Sequence, residues 1–167
     1  MIDLLIFLAS SAAVLQIVVT VVADRIGPDV SGRFLEVNPR YNRESLTEWV
    51  LCNPAKARRY AFPVLFPLDA LFLFCFGGFL GLGSVAAAHT LQWPSYADWL
   101  LALAPGFFVA CDLAEDVMLA RFLLAPTLIT REAVAAAKAI TGIKIALVVV
   151  ATLQTALVSA VGTFSSY

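Results

Sequence analysis

The chain has 167 residues and a formal net charge of −1, with 61% hydrophobic and 14% charged residues and a mean hydropathy of +0.89. Soluble domains carry about 25% charge and about 45–50% apolar residues, so this composition argues against a soluble globule. The near-neutral balance offers no basic field for a nucleic-acid partner. The apolar residues fall into four long unbroken blocks, which predicts an all-α polytopic membrane protein, a four-helix transmembrane bundle with one short cytoplasmic interfacial helix. A barrel is set aside because the blocks do not alternate apolar and polar.

The first span is expected over residues 2–23, about the 20 residues a bilayer needs. Only Asp3 stands where a cleavable leader would carry basic residues, and the apolar run is longer than a leader's. Gln16 is expected to make an interhelical hydrogen bond. Residues 24–59 form a polar connection that opens with the turn formers Gly27-Pro28-Asp29, Ser31-Gly32 and Asn38-Pro39. Ser45-Leu46-Thr47-Glu48 has the spacing of a capping box before Trp49-Val50-Leu51. That predicts a short helix, either at the interface with Trp49 and the leucines toward lipid or packed on the bundle. Asn53-Pro54 then starts a further helix, with Lys56, Arg58 and Arg59 at its base.

The second span is expected over residues 60–88, kinked by Pro63 and Pro67. Gly77 and Gly81 form a GxxxG pair that lets a neighbouring helix approach closely, within the chain or in a homo-oligomer. A link with Trp93, Pro94 and Tyr96 supplies interfacial aromatics, joined by Trp99. His89, the single histidine, is expected to be solvated at that rim. The third span, residues 97–122, carries Pro105-Gly106 as a kink and then the run Asp112-Leu113-Ala114-Glu115-Asp116. Pro126 ends it, and Thr130 caps the fourth span, residues 133–161. Cys52, Cys75 and Cys111 lack metal-ligand spacing, so no disulfide, metal or cofactor is expected.

The first connection holds Arg25, Arg33, Arg40, Arg43, Lys56, Arg58 and Arg59, and Arg121 and Arg131 flank the third. The second connection and the C-terminal tail have neither Lys nor Arg. By the positive-inside rule, connections one and three are cytoplasmic and both termini lie outside, as in a multi-pass inner (plasma) membrane protein.

Helical rise places Asp69 about 15 Å beyond Arg59 and Asp112 about 13 Å before Arg121, hence at similar depth on antiparallel helices. Asp112, Glu115 and Asp116 share one face. Lys144 and Lys138 of the fourth span, with Thr141 between them, can reach that depth. The expected cluster is Asp69, Asp112, Glu115, Asp116, Thr141, Lys144 and Lys138. Four carboxylates against two lysines cannot all stay ionised in low dielectric, so at least one is expected to be protonated at neutral pH.

Pro67 and Asp69, the D-x-x-E-[ND] pattern of Asp112, Glu115 and Asp116, and the T-x-x-K pair Thr141 and Lys144 resemble a group of small bacterial four-helix membrane proteins. The resemblance covers roughly the last two-thirds of the chain. It implies the architecture and a shared polar centre, not an activity. Three functions follow as expectations. The cluster could be a salt-bridge network in a structural, accessory or oligomeric membrane component. It could conduct or transport protons or a small cation. It could serve an intramembrane lipid-binding protein or enzyme, although no nucleophile–base pair supports that. The expected partners are the lipid bilayer and a homo-oligomer or larger membrane complex.

Overall fold

The computed structural model describes residues 1–27, 29, 30 and 41–164, the last two as backbone. Ser31-Gly32, Asn38-Pro39, Arg33, Arg40 and the tail from residue 165 lie outside the described residues. The described chain is all-helical: α1 (Ile2–Ile26), α2 (Arg43–Cys52), α3 (Pro54–Arg59), α4 (Ala70–Thr90), α5 (Tyr96–Leu124) and α6 (Arg131–Phe164), with a single tight turn at Pro126–Leu128. Three helices are long and apolar enough to cross a membrane: Ile2–Ile26, the run Pro54–Thr90, and Arg131–Gly162. α5 is also long, 29 residues, but its acids and Arg121 set it apart from those three by composition.

α4, α5 and α6 pack on one another, while α1 lies against α4 and the segment that precedes it. α1 buries only Ala12, Val19 and Ala23. Gln16 is exposed rather than bonded between helices.

Between α3 and α4 the helix breaks twice. Phe62 (φ −137°, ψ 116°) and Phe66 (φ −129°, ψ 120°) are both extended. Each precedes a proline, whose ring disfavours the helical conformation in the residue before it. The break ends at Asp69, which begins α4 and makes no capping hydrogen bond with its side chain.

α5 runs unbroken through the buried Pro105, where a kink is expected from sequence. Proline has no N–H to offer the carbonyl four residues earlier, that of Leu101. Gln154 of α6 takes that role: its Nε2 donates to the Leu101 carbonyl at 2.7 Å. The same amide lies 3.3 Å from Ser84 Oγ, and Ser84 Oγ lies 2.8 Å from Thr155 Oγ1. This polar layer ties α4, α5 and α6 together in the half of the bundle near the α4–α5 link.

The other end is closed by α2, α3 and the break. Their Leu46, Trp49, Val50, Tyr60 and Val64 join Leu119, Phe122, Leu123 and Ile129 in one buried cluster. α2 begins at Arg43 and is capped by Asn42, whose side chain accepts from the Ser45 N–H at 2.8 Å. Ser45 is therefore the third helical residue, not the cap. Trp49 faces inward at 7% exposure. Its indole N–H donates to Asp29 Oδ2 at 2.8 Å, and Lys56 Nζ donates to Asp29 Oδ1 at 2.9 Å. The Lys56 ammonium and the Trp49 indole hold the Asp29 carboxyl below its usual range. Of the two expected placements of this helix, packing on the bundle is the one found, with Leu51 its one large apolar side chain turned outward. Thr130 caps α6 as expected, its Oγ1 accepting from the Ala133 N–H at 3.1 Å.

Gly77 is an intramolecular packing residue. A Cβ there would stand 2.2 Å from Val109 Cγ2 of α5. Gly81 faces Pro105 across the same α4–α5 seam. At the link, His89 is exposed but lies 3.0 Å from Asp98 Oδ2. Cys52, Cys75 and Cys111 are free thiols.

Candidate functional site

Three pieces of chain bring the acids together. The double break delivers Asp69 at the start of α4. One face of α5 presents Asp112, Glu115 and Asp116, all buried at 3–6% exposure. α6 supplies Thr141 and Lys144, three residues apart and hence on one face. Lys144 Nζ is 2.6 Å from Asp112 Oδ1 and 2.5 Å from Glu115 Oε2. Thr141 Oγ1 donates to Glu115 Oε1 and lies 3.0 Å from the Ala137 carbonyl oxygen.

Asp69 and Asp116 have no such cation among the described residues. Asp69, Asp112 and Asp116 each present an oxygen such that all three lie within 4.8 Å of one another. Asp116 Oδ2 is fully buried with no hydrogen-bond donor among the described residues. The cluster therefore has two parts: an ion-pair half in which Lys144 bridges Asp112 and Glu115, and a carboxylate half formed by Asp69, Asp112 and Asp116. Counting Glu115, four acids face one lysine.

Lys138 does not join the cluster. It is exposed, with its ammonium 5.7 Å from the centre of the Tyr41 ring, a cation–π contact at the rim. Six residues turn an α-helix through about 240° beyond a full turn, so Lys138 and Lys144 point about 120° apart.

Two tyrosines close the site from the α2–α3 side, and sequence reasoning missed both. Tyr41 and Tyr60 are each 1% exposed. Tyr60 lies within electrostatic reach of Asp69, Asp116 and Glu115. Tyr41 is near Glu115 and Lys144, and burial pushes its phenol up to about 12, so it stays neutral. A tyrosine beside a proline-broken apolar stretch was the available signal for Tyr60. Tyr41, in a polar connection, gave none. Toward the other end Leu73 and Phe108 are buried one turn beyond Asp69 and Asp112. The Phe76 ring meets Phe108 edge-on at 5.9 Å. Apolar side chains thus separate the acids from the Ser84–Gln154–Thr155 layer.

Neither family models, curated proteins nor solved structures yield a match to this chain.

Proposed function

We propose that the chain is a four-span plasma-membrane protein that binds a small cation, a proton or a metal ion, at the carboxylates of Asp69, Asp112 and Asp116. The carrying observation is that these three carboxylate oxygens lie within 4.8 Å of one another while the half-buried Lys144 ammonium is committed to Asp112 and Glu115. Uncompensated charge in a low-dielectric interior costs several kcal/mol per ion. A cation supplied from outside removes that cost.

α5 is counted as the fourth span because its pattern is apolar outside and charged inside. Leu100, Leu103, Phe107, Val117 and Leu124 are exposed, whereas the acids face α4 and α6. Intramembrane charges face bundle interiors in this way. At 29 residues the helix is about 44 Å long, enough to cross. The basic connections support a reading with the α2–α3 cap in the cytoplasm and the termini on the far side. The acids then lie in the cytoplasmic half. The apolar layer of Leu73, Phe76 and Phe108 makes this a one-sided binding site rather than a continuous path through one copy.

A second reading, a purely structural network, is favoured by the Lys144 bridge, which with Thr141 ties α5 to α6. The two readings differ in sign for Asp69→Asn. A binding site gains stability when one of its crowded charges is removed, as functional sites do. We expect Asp69→Asn to stabilise the cation-free protein in detergent by about 0.5–2 kcal/mol, read as a higher unfolding midpoint with chelator present. A lower midpoint would favour the structural network.

A further inference from the structure

Resting on the cation-binding reading, we infer that the ion held by Asp69, Asp112 and Asp116 is a hard divalent metal of the magnesium, manganese or calcium class. Two observations point to a metal ligand set. The first is spacing. Hard divalent ions bind carboxylate oxygens at about 2.0–2.6 Å. Two ligand atoms on one such ion are therefore at most about 4–5 Å apart, and the three oxygens here fall within 4.8 Å. The second is Asp116 Oδ2, a carboxylate oxygen in a side chain 3% exposed that has no donor among the described residues. An ionised oxygen in that state calls for a positive charge, a proton shared with Asp69 or a metal ion.

The donor set fixes the class. All three donors are carboxylate oxygens, which suit magnesium, calcium and manganese, whereas zinc and copper prefer nitrogen or sulfur. Charge favours a divalent over a monovalent ion. The four acids and Lys144 leave a formal excess of three negative charges. A divalent ion reduces this to one, and a monovalent ion leaves two. Lys144 engages Asp112 Oδ1 and leaves Oδ2 of that residue with lone pairs to give. Glu115 is held by Lys144 and Thr141 and acts as a positioning residue for the lysine.

The test uses the full chain in detergent, stripped with EDTA and titrated with Mn2+, with free Mn2+ read by electron paramagnetic resonance. The expected result is one saturable Mn2+ per chain, displaced by Mg2+ or Ca2+. Asp69→Asn and Asp116→Asn should each weaken binding at least about tenfold, while Asp98→Asn, at the far end of α5, leaves it unchanged. Bound Mn2+ should also raise the thermal midpoint of the wild type and not of the two Asn variants. Absence of saturable Mn2+, or equal binding by the Asn variants, overturns the inference. If Mn2+ is not bound but Asp69→Asn still stabilises the stripped chain, the metal is wrong and proton binding stands. If Asp69→Asn destabilises it as well, the binding reading falls too.

Discussion

Lys144→Met is expected to lower stability by about 3–5 kcal/mol, the usual cost of removing one partner of a buried ion pair. The effect is large because Lys144 answers two carboxylates, Asp112 at 2.6 Å and Glu115 at 2.5 Å, both in residues less than 10% exposed. Methionine fills a similar volume, so the loss reports charge and not a cavity. Adding Asp112→Asn and Glu115→Gln to the same chain should recover most of it, since the stranded charges are then gone. Unfolding midpoints in detergent for the single and triple variants check this. A single variant within about 1 kcal/mol of wild type would show that the bridge has little weight, as exposed ion pairs do.

Gly77→Leu is expected to cost about 1–3 kcal/mol through overpacking, and to weaken cation binding with it. The clash is with Val109, a β-branched side chain with little freedom to turn aside. Separation of α4 from α5 at that seam also moves Asp69 away from Asp112 and Asp116. The milder Gly77→Ala should be tolerated when combined with Val109→Ala, which vacates the contact. Midpoints for the series check the packing, and Mn2+ titration checks its consequence. Full stability in Gly77→Leu would mean that the helices do not meet there.

The sequence makes the helical blocks plain because unbroken apolar runs of this length have few other solutions. It also makes most of the site legible. Equal depth joins Asp69 to Asp112, i,i+3 and i,i+4 spacing joins the three acids of α5, and the Thr141–Lys144 spacing places both on one face. Lys138 was misassigned because depth alone was considered. Its angle around the helix, about 120° from Lys144, was already fixed by the residue count. Other features depend on what tertiary packing sets opposite a residue. Gln16 stays exposed on α1, whereas Gln154 meets the carbonyl that Pro105 leaves without a donor. Trp49 reads as an interfacial aromatic, but Asp29 accepts from its indole N–H. Nothing local in the connection announces that Tyr41 closes the acidic cluster, because a long-range contact of that kind leaves no periodic trace.

A cation is proposed at the carboxylate half of the cluster. Infrared spectroscopy of the metal-stripped chain at neutral pH tests it most directly, because a carboxyl carrying a proton absorbs apart from an ionised carboxylate. A neutral-carboxyl band is expected in the stripped wild type and should fade as Mn2+ is added. The band should be absent from Asp69→Asn/Asp116→Asn. A spectrum with only ionised carboxylates in the stripped wild type, unchanged by Mn2+, would contradict it.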